Sequence, residues 1–253
     1  VVALKVLSPN QELGSASIEL FQREAKAVGA LNHPNIVTAF DYGEERGRFY
    51  LALEYIDGAN CLELIERDGP LDEATSLRIV RGTILGLSHA LEQGIIHRDV
   101  KPANLLFSSD GPRDARHLET ASLVKVTDLG LALMEETALG VTSEHGRRNI
   151  VAGTPAYMAP EQARGEDVDF RADIYALGAT LYHMLTGQRP FDLSSLSELV
   201  REKEDASLPH PQDVIPTIRT PLCWLLERML ARTPEHRYQS YECLLADVDT
   251  LLE

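Results

Sequence analysis

Cysteine is scarce: Cys61, Cys223 and Cys243 are the three in 253 residues, far apart and with no CxxC spacing. So odd and sparse a set excludes a disulfide framework and a thiolate zinc site. It fits reduced cysteines packed as small apolar residues in a reducing, cytoplasmic compartment. Long apolar runs are missing as well. A membrane-crossing helix needs about 18 or more apolar residues in a row, and the most apolar stretch, Ile174 to Leu185, is shorter and contains His183. It reads as a buried core helix. No signal peptide is expected, and the sequence holds no internal repeat or low-complexity tract. Positive charge is short, with Lys plus Arg at 24 against 39 for Asp plus Glu, a net charge of −15. That excludes binding to a nucleic-acid backbone, which needs clustered positive charge, and sets the chain against anionic membrane surfaces. Nor do any two glycines stand two positions apart, so there is no GxG anywhere.

What remains is ordinary for a globular protein: 44% hydrophobic and 25% charged residues. Collagen-like and disordered classes are excluded. The length suits one large domain or two small lobes sharing a cleft. Val1 to Leu7 is apolar and β-branched, bounded by Ser8-Pro9-Asn10, and predicts a strand. Ile18, Phe21, Ala25 and Val28 recur at helical spacing within 17–31. Two apolar runs, 36–42 and 48–56, flank Gly43 to Gly47 and predict a hairpin. After Asp57-Gly58 the character changes. Leu77, Val80, Ile84, Leu87 and Leu91 mark a long amphipathic helix with Asp72 as N-cap and Gly94 past its end. Short strands are expected within 95–107 and 123–127, and helices over 171–186, 194–204, 221–231 and 240–252. The architecture predicted is α+β, a small β-rich lobe and a larger helical lobe joined near 54–57, with a crevice between them suited to a ligand.

The chemistry concentrates in His97-Arg98-Asp99-Val100-Lys101-Pro102-Ala103-Asn104. Singly, Asp99 also reads as a turn cap, His97 as a satisfied core histidine, and Asp128-Leu129-Gly130 as an Asp-x-Gly turn. Together, a carboxylate, a cation two residues on and an amide three beyond fit phosphoryl transfer. That reaction needs an acceptor for a hydroxyl proton, positive charge on the moving group and oxygen ligands for a metal.

On these residues the chain resembles a eukaryotic-type protein Ser/Thr kinase catalytic domain of the bacterial branch, over residues 1–253 and in the order that family requires. The resemblance implies a two-lobe kinase fold, 1–56 a partial small lobe, 54–57 the hinge and 58–253 the large lobe. It implies ATP and Mg²⁺, and Ser or Thr hydroxyls of protein substrates. Lys5 in Val2-Ala3-Leu4-Lys5 resembles the phosphate-binding lysine and Glu24 its helical partner. Glu54-Tyr55-Ile56 resembles the adenine-binding hinge, with Leu53 at the gatekeeper position and Ala3 and Leu106 sandwiching the base. Asp99, Lys101 and Asn104 are implied as catalytic, and Asn104 and Asp128 as metal ligands. Val28, His97 and Leu129 are expected to stack inside. Gly153 to Glu161 resembles the peptide-positioning segment, with Glu161 paired to Arg237 and Asp173 a second buried charge. Arg98 implies an activation segment ordered by phosphate, with Thr137, Thr142 and Ser143 as candidate phosphosites, and Thr154 with Lys101 points to Ser/Thr acceptors.

There are departures. Leu129 stands where the family usually has Phe, and 108–117 is longer than the usual hairpin. The glycine loop that should precede Lys5 is absent, so the chain is expected to be truncated at its N-terminus, with sensor or membrane domains outside it. Two alternatives stay open, a pseudokinase scaffold and a small-molecule phosphotransferase of the same fold. Retention of Lys5, Glu24, Asp99, Asn104 and Asp128 speaks against the first, and the segment 153–161 against the second.

Overall fold

The computed structural model describes residues 1–6, 25, 28–107, 124–129, 155–190 and 210–253. Glu24, Gly130, Thr137, Thr142, Ser143 and Thr154, the elongated turn at 108–117 and the helix expected over 194–204 lie outside these residues.

The small lobe is built on a three-stranded antiparallel sheet of β1 (Val2–Val6), β2 (Ala39–Glu45) and β3 (Arg48–Glu54), in the order β1-β3-β2. Its β-branched and aromatic residues alternate as a half-buried sheet demands. Phe49, Leu51 and Leu53 turn inward, while Val2, Leu4 and Val6 face outward. The hairpin differs from the sequence expectation. Rather than a five-residue loop at 43–47, β2 continues to Glu45 and the turn is Arg46-Gly47 alone, with φ of 52° and 73°. Two successive positive φ values give a turn whose twist matches the strands. At the other end, Ile36 and Val37 leave the hairpin. Val37 N–H donates to Val126 O at 2.9 Å and Val126 N–H to Asn35 O at 2.9 Å, so this segment pairs with the large lobe instead.

The large lobe holds α1 (Cys61–Asp68), α2 (Glu73–Glu92), the β4–β5 hairpin (Leu105–Phe107 and Val124–Val126), α3 (Pro160–Ala163), α4 (Arg171–Thr186), α5 (Pro211–Val214), α6 (Thr220–Met229) and α7 (Tyr241–Leu252). Helix α2 starts where the sequence placed it, with Asp72 accepting from Thr75 N–H at 2.9 Å. Helix α1 was not foreseen, although Asn60 and Glu63 form a reciprocal capping box legible as N-x-x-E. Helix α4 is buried on every side from Ala172 to Thr186, which explains its lack of a polar face. Strands β4 and β5 are three residues each, shorter than expected. From 97 to 99 the backbone amides are held by side chains instead of a ladder.

Candidate active site

Four short segments converge between the lobes. Strand β1 pairs Ala3 with Leu53 and Lys5 with Leu51 across the sheet. This puts Ala3 and Lys5 on the half-buried face, where the Lys5 Nζ donates to Asp128 Oδ1 at 3.1 Å. The β3 strand runs out at Glu54 into 55–57. The loop 97–104 and the segment after β5 supply the remaining groups.

The loop 97–104 is fixed from below by one buried carboxylate. Asp173, on α4, accepts from the backbone N–H of His97 at 2.8 Å and of Arg98 at 2.7 Å. Burial pushes its carboxyl above the ordinary range, against the pull of His97 and those two amides. The clamp holds Arg98 at φ 66°, a conformation unfavourable to a side chain as long as arginine. His97 is fully buried; its Nε2 meets Thr127 O at 3.0 Å and its Nδ1 accepts from Asp99 N–H at 3.3 Å. Lys101 Nζ donates to Asp99 Oδ2 at 2.6 Å, and Asn104 Nδ2 donates to Asp99 O at 2.8 Å and to Oδ2 at 3.3 Å. A tight helical turn at Pro102–Asn104 brings that amide back to the acid.

Asp128 takes φ 61°, which turns Leu129 into the core at 2% exposure. Val28, Val37, Leu51, Leu53 and residues 126–129 line a void of about 10 Å³ beside it, room for about one water. Val28 and Leu129 therefore line one cavity with Thr127, whose carbonyl meets the His97 ring at 3.0 Å. Leu106, half-buried in β4, pairs with Asn60 across a single bridge at the head of α1.

The Glu54 carboxylate is occupied by a partner that sequence reasoning missed. Lys125 Nζ donates to it at 3.0 Å and Thr38 N–H at 3.1 Å, so it ties the end of β3 to β5. Burial pushes this carboxyl up, but the two donors outweigh burial and hold it below the usual range. The sequence shows a lone cation between Val124 and Val126 but nothing that names its partner 71 positions away. Beyond the loop, Arg237 donates in a fork to Glu161 at 2.6 and 2.8 Å, both side chains buried. The Arg98 guanidinium makes no hydrogen bond or ion pair among the described residues.

Hard oxygen donors suit a small divalent cation. Asn104 spends only its amide nitrogen on hydrogen bonds and Asp128 only Oδ1 among the described residues, leaving Asn104 Oδ1 and Asp128 Oδ2 as acceptors. The pair fits magnesium.

Comparison with known proteins agrees with this geometry. The protein kinase domain family matches residues 1–247, and the chain belongs to that family. It is 34% identical over 252 residues to the serine/threonine-protein kinase PrkC of Bacillus subtilis (strain 168), covering all of this chain and 36% of PrkC. It is 36% identical over 252 residues to the serine/threonine-protein kinase PknB of Mycobacterium leprae (strain TN), covering 98% of this chain and 38% of PknB. The crystal structure of the Mycobacterium tuberculosis PknI kinase domain superposes with a TM-score of 0.72 at 29% identity, over 98% of this chain and 85% of that one. The chain thus spans little more than a third of the length of PrkC and PknB. Among the described residues, no helix is long and apolar enough to cross a membrane.

Proposed function

We propose that residues 1–253 belong to the catalytic domain of a protein Ser/Thr kinase that moves the γ-phosphoryl group of ATP to protein hydroxyls. Residues 1–56 belong to the small lobe, 54–57 to the hinge and 58–253 to the large lobe. The observation that carries the reading is the clustering of Asp99, Lys101 and Asn104 on one clamped loop, tied through Thr127 to the segment after β5 whose Asp128 pairs with Lys5 of β1.

The roles follow from charge and reach. Lys5, with Glu24 as its partner, holds the α- and β-phosphates, and Leu53, Glu54, Ile56, Ala3 and Leu106 surround the adenine. Asp99 accepts the proton of the attacking hydroxyl. Lys101, already bonded to the Asp99 carboxylate, stabilises the charge on the transferred group. Asn104 Oδ1 and the Asp128 carboxylate would hold Mg²⁺, which when bound neutralises charge on the phosphate oxygens. Arg98 receives a phosphate on Thr137, Thr142 or Ser143 and so orders the segment carrying Thr154. The free cysteines, two of them buried, support a reducing, cytoplasmic setting.

The test is transfer by the full-length protein, from ATP labelled in its γ-phosphoryl group to a histone mixture and, separately, to small alcohols. Label on protein serine and threonine, lost in Asp99→Asn, is the expected result. Label only on the alcohols, or none on either acceptor, refutes the reading.

A further inference from the structure

The carbonyl just before Asp99 has a partner outside the loop. Gln162, the third residue of α3, donates from Nε2 to Arg98 O at 2.7 Å. Its other amide atom, Oε1, faces the Ala159 N–H at 3.4 Å, a long and weak contact at the head of the same helix. The short bond is the one to the loop. That carbonyl belongs to the peptide unit carrying Asp99, and its residue is held at φ 66°. Asp173 grips the amides of 97 and 98, and Asn104 grips the carbonyl of Asp99. Without Gln162 the Arg98–Asp99 peptide is held on one side only. Its neighbour Glu161 is locked by Arg237, so α3 is an anchored base from which a side chain can position another.

We infer that Gln162 is a positioning residue for phosphoryl transfer, setting the orientation of Asp99 through the Arg98 carbonyl. The inference rests on the kinase reading above. A side-chain amide suits this task because it donates without charge to a carbonyl. A carboxylate of the same shape would face that oxygen with a like partial charge.

The two atoms of the Gln162 amide make opposite predictions, which separates positioning from mere helix capping. Three variants are compared with the wild type and with Asp99→Asn in the histone assay, alongside thermal melts. Gln162→Glu keeps the acceptor toward Ala159 and loses the donor. Gln162→Met loses both, and Gln162→Lys restores a donor without the acceptor. Positioning predicts that kcat falls about tenfold in the Glu and Met variants, the loss of one hydrogen bond to a half-buried loop. It predicts recovery to within about threefold in the Lys variant, with KM for ATP and melting temperature near wild type throughout. Full kcat in the Glu variant, with loss in Met and Lys, means that Gln162 only caps α3 and overturns the inference. Equal kcat in all three variants, high or low, overturns it too. If the Met variant does not fold, the Glu and Lys variants still decide. Transfer by the wild type that Asp99→Asn abolishes keeps the kinase reading intact whatever Gln162 does; no transfer by the wild type brings both down.

Discussion

Replacing Arg237 with Met should be among the most damaging single changes in this chain, and the contacts say by how much. The guanidinium has no exposed surface and makes five bonds. Two go to the Glu161 carboxylate, and one each to the carbonyls of Ala231, Arg171 and Arg232, at 2.6 to 3.1 Å. It also lies 4.9 Å from the centre of the Tyr175 ring. Methionine fills much of the space but strands Glu161, a carboxylate only 5% exposed, with no cation to balance it. Breaking a buried pair from one side costs about 3–5 kcal/mol. At about 2–4 °C per kcal/mol for a chain of this size, melting should fall by about 6–20 °C. Removing Glu161 as well, in Arg237→Met/Glu161→Leu, takes away the stranded charge, so the double variant should be more stable than Arg237→Met alone by at least about 1 kcal/mol. Urea unfolding followed by far-UV circular dichroism measures this. The single tryptophan, Trp224, is 64% exposed and would report folding poorly. A cycle additive to within about 0.5 kcal/mol would show that the two charges do not act as a unit, and the reasoning would fail.

Other outcomes follow from single contacts. Asp99→Asn should bind ATP normally but lose about a hundredfold or more in kcat, whereas Asp128→Asn should weaken magnesium-dependent nucleotide binding; titration calorimetry beside turnover tells them apart. His183, whose Nδ1 meets the Tyr157 hydroxyl at 2.7 Å, is pushed down to about 4 by burial and then by Arg189. The unfolded histidine titrates near 6.5, so it takes the proton first and stability should decline as pH falls from about 6.5 toward 4. The loss should be about 3 kcal/mol and absent in His183→Gln, read as the difference between their urea midpoints across that range. Gly178→Ala should cost about 1–3 kcal/mol, because its methyl would stand 2.8 Å from the Met229 Cβ where α4 crosses α6. A melting temperature equal to wild type would mean the two helices part freely. Alanine at Thr137, Thr142 and Ser143 together should lower activity if one of them carries the phosphate that Arg98 grips, checked by mass spectrometry beside turnover.

Local, periodic signals were the legible part of the fold. The amphipathic spacing of Leu77 to Leu91 with Asp72 gave helix α2 and its cap, and the most apolar stretch, Ile174 to Leu185, gave α4 from Arg171 to Thr186. Helix α1 was missed because Asn60 and Glu63 follow a Gly-containing turn that reads as linker. The hairpin turn was drawn too wide because Gly43 looked like its start, whereas it sits within β2 and Arg46 takes the unusual conformation. Site residues contiguous in sequence, 97–104, were found together and lie together. Residues that act across the fold were harder to see. Lys125 reaches Glu54, and Gln162 reaches Arg98, through contacts 71 and 64 positions apart along the chain. No local pattern encodes such pairs, because only the packing of β5 and α3 against their neighbours creates them.

The imidazole of His97 is directional, and that has a consequence for substitution. Thr127 presents an oxygen, which needs a donor, and the Asp99 amide is a donor, which needs an acceptor. Only the ring with hydrogen on Nε2 and a bare Nδ1 satisfies both at once. Tyrosine or phenylalanine would fill the volume yet supply at most one of the two functions. The histidine acts as a rigid insulated spacer between the peptide preceding Asp128 and the one bearing Asp99. A shift of the strand end at Thr127 is therefore transmitted to the opposing acid as a change of distance. The two carboxylates, 29 positions apart in sequence, are gauged against each other by this five-membered ring together with Asn104, whose carbonyl accepts from the Thr127 N–H and whose amide reaches Asp99.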